Sequence, residues 1–133
     1  MDMGLRNAKL NFRQQEKSHL MENMIYLELI RRGYSVDVGV VEITRVKDGK
    51  RQQSQYEIDF VVNTGQEKIY IQSALNVDTN EKRSQETFSL KNSGDFFRKI
   101  VIVDGNTKQW IDEDGIMYVG VIPFLLDEAG LGF

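Results

Sequence analysis

Three runs rich in β-branched and aromatic residues follow one another with room for only short turns between them, and this succession restricts the fold more than any other feature of the chain. The first run reads VDVGVVEITRV, from Val36 to Val46, and Lys47-Asp48-Gly49-Lys50 after it is a turn signal. Two more strands are predicted over Gln55–Asn63 and Ile69–Leu75, with Gly65-Gln66 between them as a two-residue turn that opens on glycine. Strands joined this closely form an antiparallel meander.

The flanking pattern is helical on both sides. From Gln15 to Arg32 strong helix formers dominate, Arg31 and Arg32 sit in the last turn where the helix dipole favours cations, and Gly33 stops the helix. Residues 1–14 carry few apolar side chains and read as a polar N-terminal arm, which leaves residues 15–133 as a single domain. Asn76 to Lys91 is polar, with Phe88 and Leu90 as apolar anchors, and its centre is predicted to be a surface helix. The apolar run RKIVIVDG is a buried strand, WIDEDG a turn, MYVGVI a strand, and PFLLDEAG a terminal helix with Pro123 at its first position and Gly130 beyond its end. The order is α-β-β-β-α-β-β-α, an α/β (α+β) chain whose meander passes through a helical crossover into a mixed β-sheet flanked by helices.

Composition excludes several chemistries. There is no Cys and a single His, His19, so neither a thiolate metal site, a disulfide framework nor a His-rich site can form. No apolar run approaches the roughly 20 residues that span a bilayer, so a cytoplasmic protein with no membrane partner is expected. Seventeen Lys plus Arg against twenty Asp plus Glu give a net charge of -3, so any nucleic-acid contact must come from a local basic patch. Arg31, Arg32, Arg45, Lys47, Lys50 and Arg51 are the candidates for it.

The acids are placed less routinely. On the first helix Ile25, Tyr26, Leu29 and Ile30 define a broad apolar arc with Glu22 in its middle; Glu22 is either a buried acid or an edge acid reaching water. With Gly65-Gln66 as the turn, Val62 faces Ile69 and Asp59 falls opposite Gln72. Period-2 alternation then sends Tyr56, Ile58, Phe60 and Val62 to one face, and Glu57, Asp59, Val61, Tyr70, Gln72 and Ala74 to the other, under the first helix near Glu22. Two carboxylates and an amide oxygen at one point suit a hard divalent cation; alternatively, Asp59 and Gln72 form a satisfied hydrogen-bonded pair.

An acid on the first helix, an Asp on the second strand and an acid-x-Lys triplet on the third resemble the PD-(D/E)xK nuclease superfamily, with Glu22, Asp59 and Gln72-Ser73-Ala74 in those places. More narrowly, GLRNAKLNFRQQE, HLMENMIYLELIRRGYSVDVGVVEI, EIDFVV and IYIQSA are similar to the C-terminal domain of undefined function in prokaryotic AAA-type ATPases. The resemblance implies a restriction-endonuclease-like fold, an ATPase partner module, DNA as a partner, and Mg²⁺ or Mn²⁺ as the cofactor at Glu22, Asp59 and Gln72 if any metal binds. The chain departs from the pattern in two places: Gln72 replaces the third-strand acid and Ala74 the Lys. A positioned acid, base or electrophile typically contributes about 10²- to 10⁴-fold, so the resemblance implies a degenerate catalytic site unless another cation substitutes. Lys68 and Lys99 are the candidates, although Lys68 lies four residues, roughly 13 Å, from Gln72 along its strand. No G-x-x-x-x-G-K-[ST] phosphate loop occurs, so the chain by itself should not hydrolyse ATP. The expected role is a nucleic-acid-binding or regulatory module; the alternatives are a live Mg²⁺- or Mn²⁺-dependent DNA nuclease, and a protein-interaction or homo-oligomerisation domain.

Overall fold

The computed structural model describes residues 3–126. A long helix, α1 (Met3–Arg31), leads into β1 (Ser35–Lys47), β2 (Lys50–Asn63) and β3 (Lys68–Ala74). Then come α2 (Asn80–Lys91), β4 (Arg98–Val103), β5 (Trp110–Ile111), β6 (Met117–Gly120) and α3 (Val121–Leu125). The strands form one mixed sheet in the order β1-β2-β3-β4-β6-β5; β1 to β3 pair antiparallel, and β3, β4 and β6 run parallel. Among the described residues no helix is long and apolar enough to cross a membrane.

Each face of the sheet carries its own core. On one face Met21, Ile25 and Leu29 of α1 and Phe124 of α3 cover Phe60, Val62, Ile69, Ile71, Ile100 and Ile102. On the other, Leu90 of α2 packs with Val41, Ile58, Ala74, Val101 and Tyr118, while Trp110 stacks on Tyr118 at 4.3 Å and 11°. β4 is buried on both faces over its last four residues, and its sequence there reads as a continuous apolar run.

Several boundaries differ from the sequence reading for identifiable reasons. α1 begins at Met3 and not near Gln15, because nothing between them breaks a helix; its apolar side chains Leu10 and Phe12 are exposed. It ends as expected, with the Gly33 N–H donating to Ile30 O and the Tyr34 N–H to Leu29 O while Gly33 adopts φ 87°. Its buried stripe is Met21, Ile25 and Leu29, whereas Tyr26 and Ile30 are each 43% exposed. β2 begins at Lys50, five residues before Gln55, since the turn at Asp48-Gly49, both with positive φ, zips the polar Arg51–Gln55 segment onto β1. Trp110–Ile111 is a short strand on β6, not part of the turn, which adds one β element to the expected order. Pro123 is the third residue of α3, a first-turn position where its missing N–H costs nothing, and the expected end at Gly130 lies outside the described residues.

The decisive irregularity is in β2. Asp37 pairs with Val61 and Gly39 with Ile58, so two steps along β1 match three along β2. This β-bulge puts the extra residue at Asp59-Phe60 and breaks the alternation: Ile58 and Val61 share the α2 face, whereas Phe60 and Val62 face α1. Gly39 lies against the bulge. A Cβ built on it would stand 2.7 Å from Val61 Cγ2 and 3.2 Å from Ile58 Cβ. Both neighbours are β-branched and stiff, so Gly39→Ala is expected to destabilise the fold by about 1–3 kcal/mol through overpacking. Urea denaturation of the two proteins measures this, and an unchanged midpoint would mean that the bulge can shift to make room.

Candidate functional site

The Val62↔Ile69 register predicted from the turn is present, and Gly65 has φ 86°. The face assignment built on it is not. Tyr70 and Ala74 pack in the α2 core, and Phe60 and Ile71, not Gln72, lie on the α1 side. The bulge turns Asp59 out of strict alternation toward the end of the sheet, where α1 and α2 both approach.

There Asp59 lines a cleft of about 360 Å³ with Glu22 of α1 and Glu86 of α2; Gln72, Ser73 and Asn76 border it from β3 and the loop after it, and Lys82 from α2. Glu22 and Asp59, paired from the sequence, thus do share one cavity. Glu22 is an edge acid, with 37% of its side chain open, one position beyond buried Met21. The cleft opens at the carboxyl end of β3, where the sheet changes from antiparallel to parallel pairing, the kind of position at which open α/β sheets place ligands.

The bonding inside the cleft is specific. Asp59 Oδ2 accepts from the Ser73 backbone N–H and from Ser73 Oγ, each at 2.9 Å. The Asp59 backbone N–H donates to Gln72 Oε1 at 3.1 Å. Gln72 therefore caps a backbone donor that the bulge takes out of the ladder, and Ser73 braces the carboxylate. Burial raises the Asp59 pKa, opposed by the Ser73 hydrogen bonds and reinforced by the charge of Glu57. Burial also raises Glu22 and Glu86, each with Asp59 as the second cause; His19 and hydrogen bonds from Ser18 and Ser73 pull Glu22 back down.

The donor set does not fit the metal that the resemblance implies. Among the described residues no group of three or more His, Cys, Asp or Glu is placed to hold an ion. One Asp59 oxygen and the Gln72 oxygen are also committed to internal hydrogen bonds. Ala74 is buried in the α2 core. Neither displaced-cation candidate comes near: Lys99 Nζ is held by Asp95 and Phe97, and Lys68 lies 6.0 Å from the Phe97 ring. Sequence reasoning missed Lys82 and Glu86. Their spacing of four on a helix that crosses over the end of β3 was the available signal.

The basic residues do not form one patch. Arg31 and Arg32 both bond Glu28, and Arg32 also donates to Phe124 O at 2.8 Å and lies over its ring. These two close the end of α1 against α3. Arg45, Lys47, Lys50 and Arg51 lie at the far end of the β1–β2 hairpin, ten residues or roughly 33 Å along the strand from Ser35. Cross-strand pairs share a face, so Arg45↔Gln52 and Lys47↔Lys50 put Arg45, Lys47 and Lys50 together, with Arg51 on the reverse. The run Asp112-Glu113-Asp114-Gly115 is a turn: Asp112 Oδ1 accepts the N–H groups of Asp114 and Ile116, and Oδ2 accepts the Tyr118 hydroxyl.

Comparison with known proteins adds two findings. The profile of a family described as a domain of unknown function, DUF4143, matches residues 17–125. A protein of Haemophilus influenzae, described as uncharacterized, is 33% identical over 126 residues, 95% of this chain and 28% of that protein. The chain thus spans less than a third of the length of that relative.

The raised Asp59 gives a signed pH dependence. Its unfolded carboxyl titrates near 3.8 and its folded one higher, so the folded state binds the proton more tightly. Its contribution is fully present below about pH 4 and is lost as pH rises through the folded pKa. Asp59→Asn, which keeps an acceptor for Ser73 and removes the charge, should therefore gain stability relative to the parent on going from pH 4 to pH 7. Denaturant midpoints across that range test this; a difference independent of pH would mean that Asp59 is not held against ionisation.

Proposed function

The chain belongs to the DUF4143 family, and from that premise we propose that it is a nuclease-like domain with a degenerate site, acting as a nucleic-acid-binding or regulatory module of an AAA-type ATPase. The observation that carries this reading is the internal bonding of the third-strand residues. Gln72 accepts the Asp59 backbone N–H, Ser73 holds the Asp59 carboxylate, and Ala74 is buried, so the position that would supply a metal ligand braces the bulge and the one that would supply a catalytic Lys is closed into the core. The helix, antiparallel meander and helical crossover to a parallel strand support a restriction-endonuclease-like fold. A relative of which this domain makes up only 28% supports a module joined to others.

Nucleic acid would meet the hairpin rather than the acid cleft, which carries Glu22, Asp59 and Glu86 against Lys82 alone among its lining residues. The Arg45, Lys47 and Lys50 face is exposed and, unlike Arg31 and Arg32, forms no ion pair with an acid among the described residues. A specific observation also gives the live-nuclease alternative some weight: Lys82 is a cation at the cleft, which neither Lys68 nor Lys99 provides.

The deciding experiment uses labelled single- and double-stranded DNA with Mg²⁺ and with Mn²⁺, beside Asp59→Asn. The expected outcome is no cleavage above the variant's background, with binding whose logarithm falls against log salt with a slope of about −2 for three phosphates neutralised on a single strand. Replacing Lys47 and Lys50 with Gln should make that slope shallower by about 1.4. Cleavage abolished by Asp59→Asn would establish the nuclease, and Lys82→Ala would then test the substitute cation. Absence of any salt-dependent binding would leave the protein-interaction alternative.

A further inference from the structure

A second cavity, of about 430 Å³, adjoins the acid cleft and shares Gln72 and Gln85 with it. It lies between the hairpin arm and α2, and its size is within the roughly 300–1,000 Å³ of small-ligand pockets. Its walls include Tyr56 from β2, Phe88 from α2 and Arg45 from β1, with Glu57 as the one acid among its described lining residues against the Arg45 cation. The two rings meet edge to face at 4.7 Å and 66°, and the Arg45 guanidinium lies 5.2 Å from the Phe88 centroid. Tyr56 and Phe88 are only half-buried, unlike Tyr118, which the core encloses completely. They present aromatic surface to an open space.

The ladder aligns this cavity with the hairpin cations. Val41↔Tyr56, Ile43↔Ser54, Arg45↔Gln52 and Lys47↔Lys50 are successive pairs of one parity, so Tyr56, Arg45, Lys47 and Lys50 lie on a single face that leads outward from the cavity to the hairpin tip. Flat aromatic walls, amides at the edge and a row of cations leading away match a flat ring with polar edges on an anionic tether. Rings and guanidinium offer stacking to any base, Gln85 offers both a donor and an acceptor, Gln72 offers its amide N–H groups while its oxygen holds the Asp59 N–H, and the cations follow the phosphates.

We propose that this cavity is a nucleobase subsite, which makes single-stranded nucleic acid the preferred partner. The proposal rests on the nucleic-acid reading above and narrows it. A base stacked within a duplex cannot enter the cavity, whereas an unpaired base can.

Fluorescence anisotropy at low salt with a short labelled single strand, and with the same sequence as a duplex, tests the subsite on the parent, Tyr56→Ala and Tyr56→Phe. The parent should bind the single strand more tightly. Tyr56→Ala should lose roughly 5- to 100-fold for the single strand and little for the duplex, and Tyr56→Phe should keep the parent's affinity. A 2-aminopurine placed in the strand reports the stack on the unaltered protein, which covers the case of a variant that does not fold; its emission should be quenched on binding. Equal binding of single strand and duplex with unquenched 2-aminopurine, or with no effect of Tyr56→Ala, overturns the subsite and leaves the nucleic-acid reading standing. No binding of either form by the parent overturns both, and the cavity then fits an aromatic side chain of a protein partner.

Discussion

The Asp59 backbone N–H is the group around which the site is arranged. A bulge in the middle of a sheet removes a donor from the ladder, and a donor left unpaired in a partly buried position costs about 1–3 kcal/mol. The Gln72 amide oxygen supplies the missing acceptor. A carboxylate at residue 72 could accept the same bond but would add another negative charge beside Asp59, in a cleft where Glu22 and Glu86 are already pushed toward protonation. The neutral amide satisfies the backbone without that repulsion. Ser73 meets the remaining demand by binding the carboxylate through both its N–H and its hydroxyl, and Gly39 gives the bulged strand the space it needs.

The distribution of charge separates two surfaces that sequence order brings together. Glu28, Arg31 and Arg32 form a cluster in which both guanidiniums hold the carboxyl down to about 2. Arg32 continues from that acid to a carbonyl and a ring of α3, so the cluster joins the helix end to the second helix on that face. Among the described residues the hairpin's Lys47 and Lys50 form no ion pair, and Arg45 lies over the Phe88 ring of α2 without an acid partner. Charge near the end of a helix or a turn therefore has two different meanings in this one chain, and only the partners of each residue tell them apart.

What was legible in the sequence follows the signals that local chemistry produces. Glycine at a tight turn revealed the Val62↔Ile69 register, and the apolar run at residues 100–103 revealed a strand buried on both faces. Arg51–Gln55 was illegible because its strand state comes from pairing with β1 rather than from burial, so it has no apolar alternation. The bulge was illegible for a related reason. EIDFVV alternates well enough to read as regular, and the extra residue exists only relative to β1, a non-local fact. That one residue breaks the alternation by which Asp59 is placed but leaves it beside Glu22, because at the end of a sheet both helices are within reach. Glu22 and Asp59 therefore share one cavity although strict alternation fails in β2.

The two cavities meet at Gln72 and Gln85, which makes them mechanically dependent. Gln72 cannot turn its amide fully toward a ligand in the larger cavity without releasing the Asp59 N–H, and a released bulge would move the carboxylate that Ser73 holds. The charge of Asp59 also acts on Glu22 and Glu86, adding to the burial that raises both. An occupant of the aromatic cavity that drew on the Gln72 oxygen would therefore compete with the bond that satisfies the Asp59 N–H, and that one oxygen cannot serve both cavities in full.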